Sequence, residues 1–239
     1  MRDAGRIAAQ ALILVGEAVK PGVTTEELAC VASKHIMSCG ATPTFLNYNG
    51  FPGSICVSIN DEVIHGIPSQ KRIVREGDIV SVDLGATYKG YIGDTASTFP
   101  AGKISPIAQK LCNTTRAALY AAISFAVPGN KVGDISAAVQ ACCEREGFSL
   151  VRNYTGHGVG SSLHEDPVVP NFGRAGHGVK LRAGMTIAIE PMVNQGRAQT
   201  HVLGDKWTVV TRDRKLSAHF EHTIAITRDG PKILTMAED

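Results

Sequence analysis

Arg75-Glu76-Gly77-Asp78-Ile79-Val80-Ser81-Val82-Asp83 has a counterpart 107 residues further on, Arg182-Ala183-Gly184-Met185-Thr186-Ile187-Ala188-Ile189-Glu190. In each, a glycine turn leads into an apolar, β-branched run that ends on a carboxylate. The same offset of 107 joins Pro21-Gly22 to Pro128-Gly129, Leu28 to Ile135 and Gly40 to Gly147. Asn47-Tyr48-Asn49-Gly50 returns as Asn153-Tyr154-Thr155-Gly156 at an offset of 106. A period this long excludes a solenoid, whose repeats run to about 20–50 residues. It predicts one domain, 1–239, made of two similar halves (about 1–105 and 106–239), with helices first in each half and strands pairing across the join. Helical periodicity and turn signals place helices at about 3–19, 24–39, 105–126 and 131–146. Strands are expected near 54–59, 79–84, 92–98, 150–153, 185–193, 206–211 and 219–226.

Three of these strands carry a carboxylate where an apolar residue would fit: Asp83, Glu190, and Glu221 in Phe220-Glu221-His222-Thr223-Ile224. An ionised carboxylate in such a run costs several kcal/mol unless something positive meets it. None of the three runs contains Lys or Arg. Asp94, between Gly93 and Thr95, and the glycine-flanked His157 add two more donors. One imidazole and four carboxylates form a hard, mixed nitrogen and oxygen set suited to divalent metals. A duplicated, twofold-related sheet would bring the equivalent acids Asp83 and Glu190 toward one centre.

Composition bounds the remaining classes. With 44% hydrophobic and 19% charged residues the chain is an ordinary globular protein. A net charge of +2 gives no electrostatic case for nucleic acid. The six cysteines, at 30, 39, 56, 112, 142 and 143, have no CxxC spacing and read as reduced thiols of a cytoplasmic protein. The run Ile7 to Val15 could pass for a signal peptide, but Asp3 and Gln10 interrupt it. Ile7, Ala11, Leu14, Val15 and Ala18 share one helical face instead. No segment reaches the length of a membrane span.

Read with their neighbours, the acids fall in segments that together resemble methionine aminopeptidase, type I, of peptidase family M24. These are His65-Gly66-Ile67-Pro68, Asp83-Leu84-Gly85, Gly93-Asp94-Thr95, Gly156-His157-Gly158-Val159-Gly160, His164-Glu165, Ile189-Glu190-Pro191-Met192 and Phe220-Glu221-His222-Thr223. The likeness covers the whole chain in order. The short interval between Glu190 and Glu221 lacks the insert of type II enzymes, so the chain looks like the compact bacterial form. It opens almost directly on its first helix, where relatives usually have a short lead-in.

The resemblance implies a pseudo-twofold pita-bread fold, α/β (α+β), with a curved, antiparallel-rich central sheet covered by helices. It implies two divalent ions (Co, Mn, Fe(II) or Zn) held by Asp83, Asp94, His157, Glu190 and Glu221, with a bridging hydroxide that attacks the first peptide bond. Glu190 would also carry the proton. His164 would stabilise the carbonyl oxygen, and His65 would contact the backbone beyond the cleaved bond. Tyr48, Phe51, Cys56, Leu163 and Trp207 would surround the methionine side chain. Leu163 replaces an aromatic common in bacterial relatives, Phe45 stands where some carry cysteine, and His219 where glutamine is frequent. The substrate would be the initiator methionine of nascent chains with a small second residue, met at the ribosome by a monomeric enzyme without nucleic-acid or membrane partners. Two other readings stay open: a proline-directed hydrolase of the same fold, and a non-catalytic scaffold for RNA or protein.

Overall fold

The computed structural model describes residues 1–238. Four helices form: α1 (Arg2–Ala18), α2 (Thr25–Ser38), α3 (Pro106–Ile123) and α4 (Val132–Arg145). Three of them begin at a side chain that hydrogen-bonds the N–H groups left free at a helix start, whereas α1 follows Met1 without a side-chain cap. Thr24 and Glu27 cap α2 reciprocally, Ser105 accepts from the Ala108 N–H ahead of Pro106 at the start of α3, and Asp134 accepts from the Lys131 N–H at α4. No helix among the described residues is long and apolar enough to cross a membrane.

The helices cover an antiparallel sheet of nine strands. Its main path runs Thr42–Pro43, Ile79–Tyr88, Tyr91–Pro100, Glu221–Thr227, Thr186–Ile189, Gly156–Gly158, Glu165–Val169. Cys56–Ile59 also pairs with Ile79–Tyr88, and Gly230–Ile233 with Glu221–Thr227. One apolar core lies under α1 and α2, including Leu28, Ile36, Val80, Val82 and Leu84. A second lies under α3 and α4, including Leu111, Leu119, Ile135, Ile187 and Ile224.

The repeated segments make repeated hydrogen bonds. Gly22 N–H donates to Val74 O and Gly129 N–H to Leu181 O; Thr25 N–H donates to Arg72 O and Val132 N–H to Val179 O. The bridges Thr24–Ile73 and Lys131–Lys180 match likewise. Gly22 and Gly129 share a left-handed backbone, with φ of 95° and 99°.

Strand lengths depart from the sequence-based expectation for local reasons. The pair expected at 79–84 and 92–98 extends to Ile79–Tyr88 and Tyr91–Pro100. Lys89 and Gly90, both at positive φ, close it as a two-residue hairpin. The strand expected over 185–193 is two, Thr186–Ile189 and Met192–Asn194, which lie in different sheets. Pro191, at the break, has no N–H to give. Its partner breaks at the same level, into Ser217–His219 and Glu221–Thr227. His222 pairs with Ile189 and Met192 with His219, so one register runs through the corner and sets Glu190 opposite Glu221.

Helix α1 reaches the sheet through glycine. A Cβ on Gly93 would run into the Gly5 backbone of α1, where neither side can retreat without shifting the helix. Gly93→Ala is therefore expected to destabilise the protein by about 1–3 kcal/mol. That corresponds to a melting temperature lower by roughly 2–4 °C per kcal/mol in a thermal scan. An unchanged midpoint would mean that the helix docks elsewhere.

Candidate metal centre

The sheet register sets the acids in one row. Asp83 lies opposite Cys56 on one side and Ala96 on the other, and Ala96 lies opposite Glu221. Glu190 follows at the corner just described. Side chains directly opposite in an antiparallel sheet share a face, so Cys56, Asp83, Ala96 and Glu221 form a line across four strands that Glu190 continues at the corner. Asp94 is two residues from Ala96 on the same strand and shares that face. Ala96, the smallest member, leaves room between Asp83 and Glu221.

Threonines lock the two central strands. Thr223 Oγ1 accepts from the Asp94 N–H at 3.0 Å and donates to Asp94 O at 2.8 Å, and Thr95 Oγ1 donates to Glu221 O at 2.9 Å. His157 enters from Gly156–Gly158, a strand outside those expected from the sequence. Its glycines reflect close neighbours: a Cβ on Gly156 would meet Ala188 O, and one on Gly158 would meet Asp166 O.

Asp94, His157 and Glu221 are buried, and each offers one donor atom within 4.8 Å of the other two. His157 Nδ1 faces Gly158 O at 2.9 Å. As the donor to that carbonyl it leaves Nε2 bare, 3.4 Å from Glu190 Oε1 and 3.8 Å from Asp94 Oδ2. Burial pushes the His157 pKa down to about 4, so the ring is neutral at pH 7. Asp83 Oδ1, Asp94 Oδ1 and Glu221 Oε1 are buried without a hydrogen-bond partner. Burial pushes Asp94 up to about 7, and burial with the neighbouring carboxylates raises Asp83, Glu190 and Glu221 well above the usual carboxylate range. No Lys or Arg lines the cavity among the described residues. A set made only of acceptors, several of them anionic, is complementary to cations.

The cavity, about 190 Å³, is lined by every site residue expected from the sequence: Asp83, Asp94, His157, Glu190 and Glu221; His65 and His164; Tyr48, Phe51, Cys56, Leu163 and Trp207. Phe45 and Asn49 complete the lining. Asn49 was not singled out as a site residue, although it stands in the duplicated Asn-Tyr-Asn-Gly turn. Phe51 and Trp207 meet edge to face at 5.2 Å. Burial and the charge of Asp83 raise the Cys56 thiol well above its usual range, so it stays a protonated, apolar wall.

Around the rim, His164 lies against His157, ring centroids 4.2 Å apart, and its Nδ1 is 2.7 Å from the Tyr48 hydroxyl. His65 sits in a left-handed conformation, φ 60°, edge-on to Tyr154 and Trp207. Its loop is held by Arg72, which donates to Val57 O and Ile67 O and pairs with Glu62. Sequence reasoning missed this clamp. His219 is 1% exposed, with Nε2 3.7 Å from Glu190 Oε2. His222 points to the other face, toward Tyr120 and Thr235.

The profile of the metallopeptidase family M24 matches residues 1–228. A methionine aminopeptidase of Clostridium acetobutylicum is 50% identical over 238 residues, covering 100% of this chain and 95% of the relative. Methionine aminopeptidase 1 of Bacillus subtilis is 51% identical over 235 residues, covering 98% and 94%. The crystal structure of methionine aminopeptidase from Thermotoga maritima superposes with a TM-score of 0.97 at 45% identity, covering 98% of this chain and 94% of that one. The fold is thus the pita-bread arrangement of those enzymes. With its cavity of buried carboxylates and an imidazole, the chain belongs to metallopeptidase family M24, among the methionine aminopeptidases.

Proposed function

We propose that this protein removes the N-terminal methionine from new polypeptides whose second residue is small, using a pair of divalent ions. The observation that carries the reading is the row of buried, unpartnered carboxylate oxygens beside a bare imidazole nitrogen, at the floor of an aromatic and thiol-lined cavity. Asp83, Asp94, His157, Glu190 and Glu221 would hold the ions. When bound, such ions acidify a water toward neutral pH and polarise the scissile carbonyl. Hydrolysis forms one C–O bond and breaks one C–N bond, and a proton passes from water to the departing amine. Glu190, near both His157 and His219, is the residue proposed to carry it.

His164, at the rim, would donate a hydrogen bond to the carbonyl oxygen as negative charge develops there. His65 would contact the backbone beyond the cleaved bond. Phe51, Leu163, Trp207, Tyr48 and Cys56 would enclose the methionine side chain, whose flexible thioether suits aromatic and soft walls. In this reading the two halves, about 1–105 and 106–239, make one catalytic domain, since each supplies part of the ligand set. The enzyme would work as a cytoplasmic monomer on chains emerging from the ribosome, with all six cysteines free. Mn, Fe(II), Co and Zn are all compatible with this donor set.

The test is substrate choice. Chelator-treated protein, restored with each of these ions in turn, is expected to release methionine from Met-Ala-Ser and to leave an Xaa-Pro peptide intact. Cleavage of the Xaa-Pro peptide alone would transfer the assignment to a proline-directed hydrolase.

A further inference from the structure

We propose that Tyr48 is a positioning residue for the reaction: its hydroxyl donates to His164 Nδ1 and holds the imidazole in the tautomer that carries its proton on Nε2. The inference rests on the role given above to His164 as a donor to the carbonyl oxygen. Its basis is the 2.7 Å contact between the Tyr48 hydroxyl and His164 Nδ1, with ring centroids 5.4 Å apart. A neutral imidazole has one N–H and one bare nitrogen, and the hydroxyl partner decides which is which. A phenol is a far stronger acid than a neutral imidazole N–H, so in this pair the hydroxyl donates and Nδ1 accepts. Nε2 then bears the proton and is the nitrogen left for a substrate oxygen. In the opposite tautomer Nε2 would be an acceptor, repelled by the oxygen it is meant to stabilise.

The turn that presents Tyr48 is held by its own backbone hydrogen bonds. Asn47, Asn49 and Gly50 all lie at positive φ (64°, 50° and 86°), a region that Asn and Gly enter most readily. Asn47 N–H donates to Phe51 O and Phe51 N–H to Tyr48 O, closing the turn on itself. The duplicated turn does something similar in the other half. Tyr154, the counterpart of Tyr48, stands edge-on to His65 with centroids 5.9 Å apart. Each half thus sends a tyrosine to a rim histidine of the opposite half, but only Tyr48 is hydrogen-bonded to its histidine. This is a function for Tyr48 separate from forming a wall of the side-chain pocket.

Tyr48→Phe keeps the ring and removes only the hydroxyl. In manganese-restored enzyme acting on Met-Ala-Ser, kcat is expected to fall on the order of 10-fold to 100-fold, the scale of losing an orienting partner. KM and ion affinity should change little, because the wall and the ligands remain. The Tyr48→Phe/His164→Ala double variant should be no slower than His164→Ala alone. ¹⁵N NMR of the His164 ring in zinc-loaded protein should show one tautomer, protonated on Nε2, in the wild type and a mixture in Tyr48→Phe. A bare Nε2 in the wild type, an undiminished kcat in Tyr48→Phe, or additive losses in the double variant would overturn the inference. Full activity of His164→Ala would instead overturn the reading on which it rests, whatever Tyr48→Phe does.

Discussion

Asp94→Asn is expected to eliminate ion-dependent cleavage of Met-Ala-Ser while raising the melting temperature of the metal-free protein. Asp94 is buried mid-strand and, with Glu221 and His157, offers donor atoms that all lie within 4.8 Å of one another. Asn keeps the shape but halves the acceptor capacity and removes a charge. Losing an ion's Lewis-acid contribution of several kcal/mol corresponds to a rate lower by at least about 10³-fold.

The stability effect has the opposite sign. In the unfolded chain this carboxyl ionises near its ordinary value of 3.8, and in the fold near 7. Between those values the folded state binds more protons, so metal-free wild type loses stability as pH rises from about 4 to about 7. Asn is neutral throughout, so the variant's advantage is absent at pH 4 and complete above pH 7. Thermal scans in chelator at pH 4.5 and pH 8, beside turnover assays with restored manganese, read both effects. A variant as active as wild type, or one less stable at pH 8, would remove Asp94 from the ion site.

That opposition explains why so much of the candidate centre was legible in the sequence. Asp83, Glu190 and Glu221 stood out because they break an apolar strand pattern at an energetic cost. Residues that cost stability for function are the ones that local rules expose. The repeated segments were legible for a related reason: Gly22 and Gly129 share a left-handed backbone, so the local likeness left its mark in residue type.

Other features had no local signal. The break at Pro191 could be read from the missing N–H, but not the transfer of the continuing strand to another sheet. The strand that carries His157 was not among those expected, because its flanking glycines carry poor strand propensity and the carbonyls packed against them come from other segments. The Arg72–Glu62 clamp pairs residues ten positions apart through a fold-dependent loop. Tyr48 could be expected at the cavity wall, whereas its hydrogen bond to His164 spans 116 residues and depends on the tertiary fold.

Returning a divalent ion to chelator-stripped protein is expected to release protons and to stabilise the fold far more at pH 8 than at pH 5. Asp94, near 7, and Asp83, Glu190 and Glu221, raised well above the usual carboxylate range, retain protons at pH 5 in the metal-free fold. An ion must displace those protons before it can bind, so its affinity weakens as the pH is lowered. His157, near 4, is already neutral at both values and contributes no proton.

At pH 8, an ion present at a thousand times its Kd stabilises by about 4 kcal/mol. For a chain of this size that is a rise in melting temperature of about 8–16 °C. At pH 5 the same ion concentration lies much closer to the apparent Kd, and most of the shift disappears. Calorimetric titrations in buffers of different ionisation enthalpy count the protons directly, with more than zero expected near pH 7. Equal thermal shifts at both pH values, with no proton released, would place the ion on groups other than these carboxylates. The row from Asp83 to Glu190 would then be a set of buried neutral acids without a catalytic reason to be there.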